Sequence, residues 1–252
     1  MDGPAVLARY DAEIRADPPP EVGAQRTWVD GVLRTEGAYN FIGWWDFPAE
    51  ATRAVVAREA AYFVANGVEW KLFSHDGPPG LEAALAAAGF TPDEPETFVA
   101  LDLEAHAPPF DPPPGIEVRQ VIDAAGAADL AAVSDAAFGR SEPWRLEALV
   151  ARLGDPTQAL FVAYDDGVPV SSGRLELAPG KAFAGLYGGG TIPNYQGRGV
   201  YRALVAARAG EARRRGHRYI TVDARETSRP ILQRLGFEAL ATVRGWTLEA
   251  GG

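Results

Sequence analysis

Apolar and polar positions in the second half of the chain follow two different patterns, one typical of strands and one typical of a helix. Residues 160–164 and 168–177 read as strands on either side of an Asp-Asp-Gly turn at 165–167, an order typical of a β-hairpin. In residues 199–215 the apolar side chains instead recur every three to four positions, which predicts one amphipathic helix ended by Gly216. Strands and helices thus alternate, and we predict an α/β fold of the α+β type with a mixed sheet.

A further strand, predicted at residues 182–191, ends in the consecutive glycines Gly188, Gly189 and Gly190. Glycine inside a strand weakens it and often marks a bulge or a close approach of another backbone. We therefore expect a β-bulge at this point. Directly after the bulge, residues 191–202 lead from the strand into the amphipathic helix.

The first half of the chain repeats part of this order. A predicted helix at 49–66 ends at Gly67 and precedes a strand, just as the later helix ends at Gly216. A second pair, Gly89 and Gly236, has nearly the same separation and in both cases precedes phenylalanine. The similar offsets indicate a duplication, although helix-glycine-strand patterns also recur by chance in α/β proteins.

Residues 107–115 are dense in proline, which disfavours both a helix interior and a central strand. Such a segment favours an extended connector. We therefore predict a domain at 1–106, a linker at 107–115 and a second domain at 116–252.

Composition excludes several classes of function. The formal net charge of -10 argues against nucleic-acid binding through a broad basic face and against adhesion to an anionic membrane. The chain has no cysteine, and its three histidines are far apart without ligand spacing, so we expect no metal site. The start lacks the features of a signal peptide, and no apolar run is long enough to cross a bilayer, so we expect a cytoplasmic protein.

The segment at 191–202 has the chemistry of a phosphate-binding loop. The first N–H groups of a helix have no internal partner, and glycines allow an anion to approach the backbone closely. Arg198 and Arg202 can add charge-assisted hydrogen bonds. The loop is neither a Walker A loop nor a three-glycine dinucleotide fingerprint. On its own it is also compatible with an ordinary turn between a strand and a helix.

Two motifs carry a resemblance to the Gcn5-related N-acetyltransferase (GNAT) superfamily. Residues 196–201, Gln-Gly-Arg-Gly-Val-Tyr, resemble its pyrophosphate loop, Gln/Arg-x-x-Gly-x-Gly/Ala, which often follows a proline, here Pro193. Residues 235–237, Leu-Gly-Phe, are similar to the end of the superfamily's next helix. The resemblance covers residues 116–249. The first half looks like the latter part of the same fold without the cofactor loop.

The resemblance implies acyl transfer from acetyl-CoA, a cosubstrate whose pantetheine arm would lie along the bulged strand near residues 190–192. One bulge amide would bind the thioester oxygen, and a primary amine of a small molecule would attack the carbonyl. The acidic composition favours a cationic acceptor; whether the chain forms a homodimer stays open. The residues expected to bind the cofactor are Thr191, Ile192, Gln196, Gly197, Arg198, Gly199, Val200, Tyr201, Arg202 and Ser228.

Two positions depart from the family pattern. Tyr201 stands where glycine or alanine is usual, and Leu232 stands where the family often has a tyrosine acid. Leucine cannot donate a proton. As catalytic candidates we take Glu176 as base and Tyr187 on the strand that enters the bulge, with a solvated carboxylate and a core tyrosine as the alternatives.

Three further alternatives stay open. Ser228 precedes Arg229-Pro230 and can be an N-cap instead of a cofactor contact. Asp223 and Glu226 can bind a cationic acceptor or simply be exposed. Because the usual acid is missing, the chain as a whole can be an acyltransferase or a non-catalytic acyl-CoA-binding pseudoenzyme or sensor.

Overall fold

The structure is a computed structural model that describes residues 1–20, 23–106, 108–141 and 144–251. Ala107 of the predicted linker and Gly252 of the predicted second domain lie outside the described residues. The chain divides into two compact units. The loop unit contains Val99–Val222 and Thr227–Glu238 with Met1, and the N-terminal unit contains Asp2–Phe98, Asp223–Glu226 and the chain from Ala239 onward. A domain division at residues 107–115 stays a prediction.

Helices and strands alternate along the described chain, and the predicted α/β class with a mixed sheet is confirmed. The first elements are α1 (Gly3–Tyr10), β1 (Gln25–Val29), β2 (Val32–Glu36), β3 (Phe41–Trp45), α2 (Thr52–Phe63), β4 (Val68–Phe73), α3 (Leu81–Ala87), β5 (Thr91–Pro92) and β6 (Glu96–Asp102). They are followed by β7 (Ile116–Gln120), α4 (Ala124–Phe138), α5 (Arg145–Ala151), β8 (Gln158–Asp165), β9 (Val168–Leu177), β10 (Phe183–Thr191), α6 (Val200–Arg214), β11 (Tyr219–Ala224), α7 (Arg229–Arg234) and β12 (Glu238–Leu248).

In the N-terminal unit the strand order is β1-β2-β3-β4-β12, with β5 on β12. β3 and β4 are parallel, as expected for strands joined through a helix, and the other neighbours are antiparallel. β12 therefore joins this unit although it follows the loop unit in the chain. The side chains of the N-terminal core are mainly aromatic and branched: Val32, Ile42, Trp45, Val55, Val56, Phe63, Trp70, Leu85, Phe90 and Trp246.

In the loop unit the strand order is β6-β11-β10-β9-β8-β7. β10 and β11 are parallel and connected by α6, whereas β7, β8, β9 and β10 form an antiparallel meander. α4 and α6 cover opposite faces of this sheet, because a Cβ on Gly190 would meet Ala137 of α4 and one on Gly189 would meet Arg208 of α6. The helix that carries the predicted cofactor loop thus packs directly beneath the bulged strand.

The two units share a strand-helix-strand core. β3-α2-β4 and β10-α6-β11 are each a parallel pair joined by one helix. Gly67 and Gly216 follow the two helices with φ of +70° and +85°, and Gly89 and Gly236 have φ of +92° and +93°. Only glycine adopts this left-handed conformation readily, so each pair ends its helix in the same way. This agrees with the predicted duplication.

Candidate active site

The site is built where two parallel strands separate. β10 pairs with β11 through Phe183↔Tyr219, Ala184↔Ile220 and Gly185↔Thr221, and β10 then continues to Thr191. Beyond Gly185 the ladder between these two strands ends. A strand edge released in this way offers backbone N–H and C=O groups to an extended ligand.

The predicted β-bulge is present at the glycine run. Tyr187 lies opposite Arg174 and Gly190 opposite Ser172, so the register between β9 and β10 shifts between these pairs. Gly188 has a φ of +56°, which favours glycine. A Cβ on Gly190 would lie 2.8 Å from the Ala137 Cβ, so a larger residue does not fit there without movement of α4. The bulge thus depends on the absence of side chains.

Thr191 and Ile192 tie the end of the bulged strand to β9. The Ser171 hydroxyl donates to the Gly190 carbonyl at 2.7 Å and lies 2.8 Å from the Thr191 hydroxyl. The Ile192 N–H donates to the Val170 carbonyl at 3.0 Å. The Thr191 hydroxyl and the Ile192 N–H, both in the predicted cofactor-binding set, therefore have hydrogen-bond partners within the protein. These bonds fix the end of the strand from which the loop begins.

The loop presents backbone donors at the start of α6. Gly197 and Gly199 have φ of +74° and +85°. Gly199 is the N-cap residue of α6, and no side chain caps this helix start. The first N–H groups of α6, from Val200 onward, have no intrahelical acceptor and carry the positive end of the helix dipole. A Cβ on Gly197 would point into open space, so the backbone here is accessible to an anion.

Cations border the same opening. Arg198 and Arg202 are exposed, and a Cβ on Gly199 would lie 3.0 Å from the Arg202 Nη2 atom and 3.2 Å from the Pro113 Cγ atom. The exposed Gln196 donates through Nε2 to the Thr191 carbonyl at 3.1 Å, which closes the loop on the strand end. Amides, helix dipole and two guanidinium groups together match the charge and the donor requirement of a diphosphate.

Tyr195 anchors the loop, a role that the sequence did not reveal. The Arg198 guanidinium lies 4.9 Å from the centre of its ring. A hydrogen bond to the Asp165 carboxylate raises the pKa of the Tyr195 hydroxyl. Asp165 ends β8, so one tyrosine links the loop to the hairpin turn and holds Arg198 at the rim.

The two catalytic candidates lie near each other on one face of β9 and β10. Glu176 and Arg174 form an ion pair of 2.8 Å, and Arg174 stands opposite Tyr187, whose ring centre is 5.5 Å from the guanidinium. The Tyr187 ring extends over Gly185, the partner of Glu176 in the ladder. Tyr187 is 39% exposed, so it is not a core residue.

The other predicted residues have local structural partners. Leu232 is fully buried in α7, at the place where the family often has a tyrosine. Ser228 is the N-cap residue of α7, and its carbonyl accepts from the Leu232 N–H at 3.1 Å, but its side chain makes no capping bond. In the N-terminal unit Asp223 forms an ion pair with Lys71. Burial opposes the charged lysine, but Asp223, Tyr10 and Glu69 together raise the pKa of Lys71.

The equivalent place in the N-terminal unit is occupied by its own side chains. The register between β2 and β3 shifts next to Gly43, and the Gly43 carbonyl accepts a bond of 3.1 Å from the Arg15 Nε atom. Arg15 also pairs with Asp76 at 2.7 Å and is almost completely buried. The Gly43 carbonyl at this register shift thus has a hydrogen-bond partner within the protein.

Comparisons with known proteins agree with this geometry. Residues 127–237 match the model of the acetyltransferase (GNAT) family. A GCN5-related N-acetyltransferase from Kribbella flavida is similar with a TM-score of 0.66 at 18% identity, over 99% of this chain and 95% of its own. One from Sphaerobacter thermophilus has a TM-score of 0.66 at 17% identity, over 98% and 91%. A tandem GNAT protein from the clavulanic acid biosynthesis pathway has a TM-score of 0.65 at 17% identity, over 99% and 94%.

Residues 127–237 therefore match the acetyltransferase (GNAT) family, and the resemblance inferred from the loop is confirmed. At these identities the structural likeness concerns the fold, which is shared by a tandem GNAT protein over almost the whole chain. No curated protein matches the chain in sequence.

The described part of the chain lacks two other kinds of feature. It contains no group of three or more His, Asp or Glu side chains arranged to hold a metal ion. None of its helices is both long and apolar enough to cross a membrane.

Proposed function

We propose that this protein transfers an acetyl or other short acyl group from acetyl-CoA to a primary amine of a small molecule. The observation that carries the proposal is that three features follow one another along the chain. The edge of β10 next to β11 is unpaired beyond Gly185, the left-handed Gly197 and Gly199 form the loop, and α6 begins with no side-chain cap. Acetyl-CoA has a diphosphate at one end of its pantetheine arm and a thioester at the other. The start of α6 suits the diphosphate, and the edge of β10 suits the arm and the thioester.

The loop would hold the diphosphate of the cosubstrate. Main-chain N–H groups of residues 197–201 would donate to its oxygens, with Arg198 and Arg202 supplying charge. The pantetheine arm would extend along the edge of β10 beyond Gly185, where peptide groups are not engaged by β11. Ser228 and the peptide groups near Thr191 and Ile192 are proposed as further contacts of this arm.

At the bulge, a backbone amide would bind the thioester oxygen. The amine nitrogen would attack the carbonyl carbon directly, so that the new C–N bond forms as the C–S bond breaks. Before the attack, the acceptor's ammonium group gives a proton to a base, for which we propose Glu176, so that the attacking amine is neutral. The departing thiolate receives a proton from an acid, for which we propose Tyr187. Their common face and the ion pair of Glu176 with Arg174 support these roles.

The test is a turnover assay with a panel of primary amines. Purified protein with acetyl-CoA should release free thiol only when an acceptor amine is present, and mass spectrometry should find the acylated amine. The acidic composition leads us to begin with polyamines, aminoglycosides and amino sugars. Tight binding of acetyl-CoA without thiol release across the panel would argue against an enzyme.

A second candidate is a non-catalytic acyl-CoA-binding protein. It is favoured by Leu232, which is fully buried where the family often places its proton donor. The two candidates differ in the response to Glu176→Gln. In an enzyme this substitution lowers the rate of thiol release while acetyl-CoA binding is nearly unchanged, whereas a binding protein binds acetyl-CoA and releases no thiol with or without the substitution.

The remaining expectations stay proposals. We propose that the N-terminal unit binds no cofactor, because Arg15 occupies the bulge carbonyl there. We further propose a cytoplasmic protein that binds neither nucleic acid nor membranes, on the grounds of its charge and its lack of cysteine. A homodimer can be tested by light scattering.

A further inference from the structure

Arg208 is a fully buried cation on the sheet-facing side of α6. Its Nε atom donates to the Leu204 carbonyl and its Nη1 atom to the Arg174 carbonyl, both at 3.2 Å. Within the described residues its Nη2 atom has no hydrogen-bond partner. A buried donor without a partner is uncommon in proteins and calls for an explanation.

The guanidinium lies against the bulge. A Cβ on Gly173 would be 2.7 Å from the Nη1 atom, and a Cβ on Gly189 would be 3.2 Å from Nη2. The group therefore fills the side-chain space of both glycines, one on each strand of the β9–β10 pair. The same Gly189 position would meet the Tyr201 ring at 3.1 Å, so Tyr201 and Arg208 together form the floor of the bulge.

No carboxylate of the described residues pairs with this cation. Burial lowers the pKa of Arg208, and Tyr201 partly opposes this effect through electrostatic attraction and a side-chain hydrogen bond. Arginine nevertheless remains protonated in proteins, because its ordinary pKa is so high. An uncompensated buried charge is costly, so its retention here requires a compensating interaction or a function.

We infer that Arg208 is a positioning residue that props the Gly188–Gly190 bulge and directs its positive charge at the bulge peptide groups that bind the thioester oxygen. The inference rests on the proposed function. Arg208 acts through the peptide backbone of Gly189 and does not touch the cosubstrate itself.

The positive charge of Arg208 would stabilise the transition state, because negative charge develops on the thioester oxygen as the amine attacks. A guanidinium beneath the peptide groups polarises them and makes their N–H groups better donors. In a site of low effective dielectric such a fixed charge acts more strongly than it would in water. Tyr201, where the family usually has glycine or alanine, lies beside the guanidinium at the floor of the bulge.

The decisive experiment needs no acceptor. Acetyl-CoA labelled with 13C at the thioester carbonyl is bound to the protein, and the carbonyl stretch is recorded by infrared difference spectroscopy. We expect the wild-type protein to lower this frequency. Arg208→Gln should lose most of that shift, Arg208→Lys should keep part of it, and Arg213→Gln should keep all of it. Arg213 is a matched control because it is exposed on the same helix.

Kinetics with an accepted amine supply a second readout. Arg208→Gln should lower kcat about tenfold or more, while KM for acetyl-CoA stays within about twofold, because the interaction strengthens only in the transition state. A purely structural role would instead make kcat follow thermal stability, with the glutamine and lysine variants equally impaired.

Each outcome has one meaning. Failure of wild-type protein to bind acetyl-CoA contradicts the proposed function, whatever Arg208 does. Binding with an equal carbonyl shift in wild type and Arg208→Gln overturns the role of Arg208 alone. If the glutamine variant does not fold, Arg208→Lys decides: complete loss of the shift in this folded, charged variant also overturns the inference.

Discussion

Tyr187 stands directly opposite Arg174 in the β9–β10 ladder, and Arg174 is also the ion-pair partner of Glu176. One arginine thus connects the proposed base with the proposed acid, on the face of the sheet opposite to Arg208. The Arg174 guanidinium can hold both side chains in place while each exchanges a proton. Separate substitutions of Glu176 and Tyr187 test the two roles.

Glu176→Gln keeps the size of the side chain and removes its basicity. We expect kcat to fall about 10²-fold or more with KM for acetyl-CoA nearly unchanged, because a general base contributes about 10²–10⁴. Steady-state kinetics with an accepted amine measure this. The control is Glu117→Gln, an exposed glutamate on β7, which should have wild-type kinetics. Equal kcat in both variants would assign the base elsewhere.

Tyr187→Phe removes only the hydroxyl group. If this hydroxyl protonates the thiolate, kcat should fall by about 10²-fold, and an activated thioester with a better leaving group should restore part of the rate. Tyr39→Phe, at an exposed tyrosine of the N-terminal unit, is the matched control. A rate unaffected by Tyr187→Phe would leave protonation to solvent.

Gly199→Val should weaken coenzyme A binding by about tenfold or more. Its φ of +85° is strained for a branched side chain, and its Cβ would crowd Arg202 at the opening of the loop. Gly210→Ala is the control on the same helix, where a Cβ meets open space. That control should add about 0.5–1 kcal/mol of stability and leave the affinity unchanged. Calorimetric titration distinguishes the two.

His217 predicts a pH dependence of stability. Burial lowers its pKa in the folded protein, and its Nδ1 atom lies 3.2 Å from the Lys181 carbonyl. The unfolded state therefore binds the proton more readily, and the free energy of unfolding falls as pH drops below about 6.5. Urea titrations between pH 5 and 8 should show this loss, and His217→Gln should reduce it. An unchanged slope in the variant would exclude His217 as the cause.

Glu59→Gln should destabilise the N-terminal unit strongly. Glu59 is fully buried and binds Arg34 at 2.6 and 3.0 Å, so its loss deprives a buried guanidinium of its hydrogen-bonded carboxylate. Breaking such a pair costs about 3–5 kcal/mol. Asp30→Asn breaks the exposed pair with Arg58 and should cost less than about 1 kcal/mol. Denaturant titrations that give equal losses would contradict the difference in burial.

Features with local causes could be predicted from the sequence. The glycine run gave the bulge, the Asp-Asp-Gly turn gave the hairpin, and Gly216 gave the end of α6. Each depends on backbone conformations that one or two residue types favour. The strand β9, Val168–Leu177, has the predicted bounds, whereas the helix predicted at 49–66 is shorter because it starts with a 3-10 turn and ends at Phe63.

Features with distant causes could not be predicted. The strands β1 and β2 show no regular alternation of apolar and polar residues, and their antiparallel pairing is a tertiary feature. The clustering of Glu176 with Tyr187 requires the register between two strands. Arg208 was not identified because an arginine within an amphipathic helix is usually exposed, and only the packing of α6 on two glycines buries it.

The position of β12 affects the order in which the protein matures on the ribosome. Residues 243–248 pair with β4, yet they are translated only after the entire loop unit. Until then the outer edge of β4 exposes unsatisfied peptide groups, which is the kind of surface that recruits foreign strands. A translation pause upstream of residue 243 would therefore prolong the time for which this strand edge of the nascent N-terminal unit stays open.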